Sequence, residues 1–222
     1  MFFRNRVDAG RRLADALTYL RDEDVVVLGL PRGGVPVAAE VARQLHAPLD
    51  VIVVRKVGVP WQPELAVGAV GEGDVGVVNA GVVRLAGVKP AELRAAQAHA
   101  RVEVQRRVQA LRGHRPSADV AGRTAVIVDD GIATGATARA ACEVARSQGA
   151  VRVVLAVPVA SPDAADALSD VADEVVCLRK PADFGAVGRF YDDFEPTTDA
   201  QVVDLLDRAA VTSAAAEARR SR

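Results

Sequence analysis

The sequence predicts an α/β fold, a doubly wound and mostly parallel five-stranded sheet with helices on both faces. Apolar, Val-rich runs without polar alternation are typical of parallel strands that are buried on both sides. Segments with helical spacing of apolar residues lie between these runs, and such alternation favours a parallel sheet. The predicted strands lie near residues 25–30, 50–54, 124–129, 151–157 and 174–178.

Helices are predicted from the spacing of apolar residues. A long helix is predicted over residues 90–113, because Pro is favoured in a first helical turn and Gly at a helix end. The other predicted helices cover residues 4–20, 36–46, 136–148, 161–169 and 202–206. If the strand order reverses between residues 25–30 and 124–129, those two strands are neighbours and their loops share one crevice.

The chain is predicted to form a single domain over residues 1–210. Its 222 residues, half of them apolar, are enough to bury a sizeable core. Residues 211–222 are small and charged, so we expect a disordered tail. Cys142 and Cys177 fall in a predicted helix and strand, which indicates reduced core thiols rather than a disulfide framework.

Charge and hydropathy argue against several classes of protein. The 28 basic and 29 acidic residues give a net charge of −1, so nothing favours attraction to nucleic acid or to a membrane. The first residues turn charged at once, without an apolar signal stretch, and no run of about 18 apolar residues follows. We therefore expect a cytoplasmic protein. The loop motifs of P-loop NTPases and dinucleotide-binding oxidoreductases are not found in the sequence.

Residues 125–137, Ala-Val-Ile-Val-Asp-Asp-Gly-Ile-Ala-Thr-Gly-Ala-Thr, carry the strongest functional signal. Asp129 and Asp130 directly follow a buried strand, so they are expected where ligands of open α/β sheets bind. The small residues that follow offer backbone N–H groups and hydroxyls at a helix start, which suits an anion. An acidic pair beside an anion site suits a ligand with hydroxyls and phosphate, such as a ribose 5-phosphate.

A second motif, Leu-Gly-Leu-Pro-Arg-Gly-Gly-Val-Pro over residues 28–36, follows the apolar run of residues 25–28. Gly33 and Gly34 allow a tight turn and a close approach of a ligand, because no Cβ intervenes. Arg32 adds a fork of donors that suits a phosphate group. A third element, Arg55 and Lys56, is expected to emerge at the end of the strand near residues 50–54 and to face the same crevice.

These segments resemble the type I phosphoribosyltransferases, and residues 125–137 match the phosphoribosyl-pyrophosphate (PRPP) motif of that family at all thirteen positions. The resemblance implies that Asp129 and Asp130 hold the ribose hydroxyls and meet Mg²⁺ indirectly, through substrate or water. It implies that the 5-phosphate is wrapped by a loop of Gly131, Ile132, Ala133, Thr134, Gly135, Ala136 and Thr137. It also implies that pyrophosphate is held by Arg32, Gly33, Gly34 and Lys56, with Arg55 as the second choice.

Two insertions depart from a plain βα repeat. Residues 57–89 contain two β-like runs, 65–70 and 75–78, around a predicted turn at 71–74. In the family this region holds a mobile loop that closes over the substrate and excludes water. Glu64 or Glu72 of this loop is a candidate for the acid that assists the acceptor, and both are equally compatible with a solvated surface position.

The second insertion, residues 179–196, is rich in aromatic residues. In relatives such a segment forms a hood that selects the acceptor base, often by stacking. Phe184, Phe190 and Tyr191 are the candidates for stacking. The alternative is an aromatic cluster that attaches an irregular segment to the core.

The resemblance implies a Mg²⁺-dependent transferase that moves the ribose 5-phosphate of PRPP to a nitrogenous acceptor, favouring a nucleobase, and releases pyrophosphate. Ala133 stands where hypoxanthine- and guanine-specific relatives carry an acid, so the motif is closer to the adenine type. The acceptor is left open. The alternative is a non-catalytic protein of the same fold that senses PRPP or a nucleotide. Relatives often form dimers, so a homodimer is expected.

Overall fold

The computed structural model describes residues 2–59, 61–73 and 76–220, except for the side chains of residues 63, 64 and 213–220. The strands are β1 Val25–Gly29, β2 Leu49–Val51, β3 Arg55–Val59, β4 Gln62–Val70, β5 Gly76–Val78, β6 Thr124–Val128, β7 Arg152–Val157 and β8 Glu174–Cys177. The α-helices are α1 Arg6–Ala16, α2 Gly34–Leu45, α3 Ala80–Leu85, α4 Pro90–Arg112, α5 Ala136–Ser147, α6 Pro162–Ala167 and α7 Asp199–Arg220.

The main sheet has the strand order β2-β1-β6-β7-β8, and every neighbouring pair is parallel. The predicted five-stranded parallel sheet is therefore confirmed. Strands β1 and β6 are neighbours along their whole length, from Val25 opposite Thr124 to Gly29 opposite Val128. Because parallel neighbours end at the same edge, the loops after β1 and β6 meet there.

Alternate residues of the central strands face two different helical layers. Val27 and Val126 pack with α1 and α2 on one face of the sheet. Val26 and Ile127 pack with α5 and α6 on the other face. All residues of β1 and β6 are buried, which explains the continuous apolar runs in the sequence.

Residues 55–78 contain a second, antiparallel sheet of order β3-β4-β5. The predicted hairpin is present as β4 and β5, and β3 extends it by one strand, while residue 74 of the predicted turn lies outside the described residues. Val57, Val59 and Val67 are fully or almost fully buried in a cluster that includes residues of α4. The region of the expected mobile loop, residues 57–89, thus contains most of this sheet and helix α3, and alternating valines give β3 an apolar inner face. Closure of this region over a substrate stays a prediction.

The C-terminal helix differs from the sequence prediction in length. α7 runs to Arg220, whereas a helix over 202–206 and a disordered tail over 211–222 were expected; residues 221 and 222 lie outside the described part. Val202 and Leu206 are buried in the core and secure its first half. The helix continues because the following residues are mostly Ala, Glu and Arg, which have high helix propensity. In the described part of the chain, no helix combines the length and apolar character that crossing a membrane requires.

Candidate functional site

The first part of the candidate site is the turn after β1, residues 30–34, which we call the glycine turn. The peptide bond between Pro31 and Arg32 is cis, and the Gly34 N–H donates to the Leu30 carbonyl at 3.0 Å. Helix α2 starts at Gly34. The Arg32 side chain is half exposed, so its guanidinium is accessible to a ligand.

The acidic pair after β6 lies directly against this turn. A Cβ atom on Gly33 would overlap the carboxylate of Asp130. A Cβ atom on Gly34 would lie 2.8 Å from the Asp129 Cα and 2.5 Å from the Val128 carbonyl oxygen. The two motifs, which are far apart in the sequence, therefore need glycine for their mutual contact. The turn and the acids form one continuous surface at the sheet edge.

Asp130 is held by two residues whose partnership the sequence did not reveal. The Arg6 Nε of α1 donates to the Asp130 Oδ2 at 2.8 Å, and the Tyr191 hydroxyl donates to the Asp130 carbonyl at 2.6 Å. Arg6 also donates to the Glu195 carbonyl at 2.8 Å, and its guanidinium lies 3.9 Å from the centre of the Phe194 ring. No local motif marks Arg6, because its partner lies 124 positions away.

The carboxyl groups of this pair are electrostatically unfavourable when both are ionised. Burial raises the pKa of Asp129 well above its usual value, and the charge of Asp130 raises that pKa further. Burial also raises the pKa of Asp130, although the hydrogen bond and charge of Arg6 oppose this rise. A ligand that brings hydroxyl donors or a cation to this pair would relieve the repulsion.

The loop over residues 131–135 leads from the acids into α5. Ile132 anchors it, since its N–H donates to the Val159 carbonyl at 2.9 Å while its side chain is buried. Gly135 precedes α5 in a left-handed conformation with φ 75°, and no side chain caps the helix. The first N–H groups of a helix lack intrahelical partners, so this start is open to an anion. Ala133, Thr134 and Thr137 are exposed there.

Arg55 and Lys56 belong to a different strand than predicted. Strand β2 ends at Val51, and both cations open strand β3 of the second sheet instead of closing a strand of the main sheet. Both side chains are exposed, and Arg55 lies 3.4 Å from the Glu103 carboxylate of α4. The direction of the chain changes because residues 52–54 leave the main sheet after the Ile52 N–H donates to the Gly29 carbonyl.

Arg55 and Lys56 nevertheless line a cleft with elements of both phosphate motifs. The cleft has a volume of about 330 Å³ and lies between Pro31 of the glycine turn and Thr137 of α5. Arg107 of α4 completes its basic wall. Helical spacing in the sequence placed Arg107 on a helix, but nothing in the sequence indicated which way it would face.

Of the three proposed stacking residues of the hood, Phe184 and Tyr191 are buried and Phe190 is partly buried. Phe184 packs on Phe190 with ring centres 5.6 Å apart, and Tyr191 lies between Phe3 and Phe194 at 5.4 and 4.9 Å. Phe184 and Tyr191 are only 8% and 7% exposed, so their rings are not free to stack on a base in this conformation. The structure thus supports the alternative interpretation, an aromatic cluster that attaches the hood to the core and to the N-terminal segment.

The two acidic candidates of residues 57–89 are placed differently. Glu64 lies within β4, and its side chain is outside the described part of the structure. Glu72 lies in the turn after β4, where its carboxylate accepts a hydrogen bond from Arg112. Arg112 is almost fully buried and also donates to Asp50 at 3.0 Å, so Glu72 belongs to a structural ion network.

The acidic pair offers carboxylate oxygens, which are ligands that suit Mg²⁺. Among the side chains that the structure describes, no group of three or more His, Cys, Asp or Glu could hold a metal ion. Mg²⁺ is commonly bound through one or two carboxylates together with waters and substrate phosphates. Asp129 and Asp130 fit that mode, in which the substrate supplies most of the ligands.

Comparison with known proteins identifies relatives over most of the chain. Residues 4–195 match the family described as phosphoribosyl transferase domain. The crystal structure of TT1426 from Thermus thermophilus has a TM-score of 0.87 and 50% identity, covering 93% of this chain and 98% of that one. A provisionally named phosphoribosyl transferase of Mycobacterium tuberculosis, in strains H37Rv and CDC 1551, is 56% identical over 207 residues, or 93% of this chain. The chain spans 47% of the length of those two relatives.

Proposed function

The chain belongs to the phosphoribosyl transferase family, and on that premise we propose that it transfers the ribose 5-phosphate of PRPP to a nitrogenous acceptor, with release of pyrophosphate. One observation carries the proposal. The glycine turn and the acidic pair touch at Gly33 and Asp130, so groups suited to pyrophosphate and to ribose hydroxyls share one surface.

Each part of this surface has a proposed role in binding. Asp129 and Asp130 accept hydrogen bonds from the ribose hydroxyls, which carboxylates do well when buried and oriented. The open start of α5 binds the 5-phosphate through backbone N–H groups, with hydroxyls from Thr134 and Thr137. Lys56, which lines the cleft, and Arg32 of the adjoining glycine turn bind the pyrophosphate group.

Mg²⁺ would be held by the pyrophosphate together with the acidic pair, directly or through water, and would neutralise charge on the leaving group. In the transfer step the bond between C1 of the ribose and the pyrophosphate oxygen breaks, and its electron pair leaves with the pyrophosphate. The acceptor nitrogen forms the new bond to C1 with its lone pair. Arg32 and Lys56 stabilise the charge that develops on the leaving oxygen, so catalysis rests on positioning and electrostatics.

The proton lost by the acceptor nitrogen needs a base. Glu64 is our candidate, because β4 pairs with β3, the strand that carries Arg55 and Lys56 of the cleft, and because Glu72 is engaged by Arg112. Ala133 carries no ionisable group and so cannot perform this step. Among acceptors, a nucleobase best fits the family resemblance.

Calorimetric titration with PRPP and Mg²⁺ tests the binding site first. The variants are Asp129→Asn and Asp130→Asn, alone and together. Asp22→Asn is the matched control, because Asp22 is exposed and precedes β1, at the opposite edge of the sheet. We expect the double variant to lose PRPP binding and the control to retain it. Purines, pyrimidines and other nitrogen acceptors would then be screened for release of pyrophosphate.

Absence of PRPP binding by the intact protein would contradict the proposal. Binding that is unchanged in the Asp129→Asn, Asp130→Asn double variant would contradict the site assignment. Binding without pyrophosphate release for any acceptor would favour the second candidate, a PRPP- or nucleotide-sensing protein of the same fold. The contact between turn and acids supports that candidate equally at the level of binding.

A further inference from the structure

Asp199, the first residue of α7, lies between two arginines of the candidate site. The Arg107 Nη1 donates to the Asp199 Oδ2 at 2.7 Å. The Arg32 Nη1 lies 3.8 Å from the Asp199 Oδ1, too far for a hydrogen bond. This second oxygen is buried and has no hydrogen-bond partner among the described residues. One carboxylate thus holds two guanidinium groups from distant parts of the chain close together.

The electrostatic balance at this point favours ionised Asp199. The hydrogen bond from Arg107 lowers the pKa of the Asp199 carboxyl, and the charges of Arg107 and Arg32 lower it further. The pair is partly exposed, with 29% of the Arg107 side chain and 44% of the Asp199 side chain accessible. Arg107 is therefore fixed at one N–H group while solvent and ligands still reach its side chain.

Arg107 also lines the cleft between the two phosphate motifs. The described residues of this lining include the cations Arg55, Lys56 and Arg107 and no carboxylate. Thr137, in the first turn of α5, also lines this cleft. Within the described chain, Asp199 is the acceptor that the Arg107 guanidinium reaches, so its other N–H groups are available to an anion in the cleft.

A planar guanidinium with several donors suits an anion with several oxygens. We propose that Arg107 is a further pyrophosphate-binding residue of this cleft, and that Asp199 is a positioning residue that holds its guanidinium toward Arg32. This inference rests on the proposed function, since it assigns Arg107 to the pyrophosphate end of PRPP. It also gives a role in the site to α7, a helix that lies outside both phosphate motifs.

The test uses calorimetric titration with two probes, pyrophosphate plus Mg²⁺ and ribose 5-phosphate. Arg107→Gln removes the charge at similar length, and Arg107→Lys keeps the charge without the planar fork. Arg106→Gln is the matched control, because Arg106 is the exposed neighbour on the same helix. We expect Arg107→Gln to weaken pyrophosphate binding at least tenfold and ribose 5-phosphate binding less than twofold. Arg107→Lys should be intermediate, and Arg106→Gln should be unchanged.

Asp199 is tested by a double-mutant cycle on pyrophosphate affinity. If Asp199 acts through Arg107, Asp199→Asn should weaken binding about threefold in the intact protein and not at all in the Arg107→Gln background. An equal effect in both backgrounds would overturn the positioning role. Circular dichroism of every variant reports whether the fold is retained, and Arg107→Lys provides a second readout if Arg107→Gln is unstable.

The outcomes separate this inference from the function on which it rests. Intact protein that binds PRPP, together with Arg107→Gln that binds pyrophosphate equally well, would overturn the inference and leave the proposed function standing. A loss confined to ribose 5-phosphate would also overturn it, because Arg107 would then serve the 5-phosphate. Intact protein that binds neither PRPP nor pyrophosphate would overturn both.

Discussion

The Arg6 Nε donates a hydrogen bond of 2.8 Å to the Asp130 Oδ2, which joins the first helix to the second acid of the candidate site. Both side chains are largely buried, with 11% and 14% exposed. Arg6 is held in turn by the Glu195 carbonyl and the Phe194 ring, so separate segments of the chain fix the position of one carboxylate. Preorganisation of this kind lowers the cost of binding a ligand.

Replacing Arg6 is expected to weaken PRPP binding. Arg6→Ala leaves the Asp130 carboxylate without its charged donor, so we expect about a tenfold rise in the Kd for PRPP and a loss of about 2 kcal/mol in the free energy of unfolding. Titration calorimetry and urea denaturation measure the two effects. Arg11→Ala is the control, since Arg11 is exposed and pairs with Glu40. Equal PRPP affinity in Arg6→Ala and intact protein would refute the positioning of Asp130 by Arg6.

Gly33 is expected to be intolerant of a methyl group because of Asp130 alone. Its φ of −62° suits any residue, so the overlap with the Asp130 carboxylate is what excludes Ala. We expect Gly33→Ala to displace that carboxylate, to abolish measurable PRPP binding and to cost about 2 kcal/mol of stability. Adding Asp130→Ala to Gly33→Ala should recover the lost stability, as measured by urea denaturation. If it does not, another contact limits this position.

Tyr191 is expected to contribute to stability through its hydroxyl. Tyr191→Phe keeps the ring between Phe3 and Phe194 but removes the hydrogen bond to the Asp130 carbonyl. The expected loss is about 1 kcal/mol in the free energy of unfolding, measured by urea denaturation. A base that stacks on this ring would bind Tyr191→Phe normally and Tyr191→Leu poorly. Loss of acceptor binding in Tyr191→Leu at unchanged stability would restore the stacking role.

Substitution of Glu72 is expected to affect stability, whereas substitution of Glu64 is expected to affect the rate of transfer. Glu72→Gln weakens the ion pair with Arg112, so we expect a loss of about 1 kcal/mol in stability with little change in turnover. Glu64→Gln should leave stability within about 0.5 kcal/mol and lower the rate of transfer. Thermal denaturation and pyrophosphate release measure both variants. The reverse pattern would assign the proton transfer to Glu72.

Cys142 is expected to make the fold less stable at alkaline pH. Burial raises the pKa of its thiol from 9.0 to about 12, so the folded state keeps a proton that the unfolded state releases above pH 9. This contribution to stability is complete below pH 9 and declines as the pH rises toward 12. Between about pH 8 and about pH 10, the stability of the intact protein should fall by about 1 kcal/mol more than that of Cys142→Ala. Urea denaturation measures the free energy of unfolding of both proteins. An equal fall in the intact protein and in Cys142→Ala would show that the thiol is not the cause.

The parts of the fold that the sequence predicted correctly are those governed by local patterns. The apolar runs of β1 and β6 reflect burial on both faces of the sheet. The glycines that follow β1 lie in contact with the acids that follow β6. The predictions for Arg55, Tyr191 and the C-terminal tail were less accurate. Their positions depend on where β2 ends, on the N-terminal segment that packs on the hood, and on the length of α7.

By itself the sequence determined the sheet, the family and the two phosphate motifs, because each is encoded by consecutive residues with a distinctive spacing. Only the tertiary structure decided that Arg6 binds Asp130, that Asp199 joins Arg32 to Arg107, and that Glu72 pairs with Arg112. In each of these pairs the partners lie at least 40 positions apart in the sequence. A single arginine or aspartate in the sequence does not identify its partner. Either charged side chain is well solvated on its own, and only the packing of the chain brings the two together.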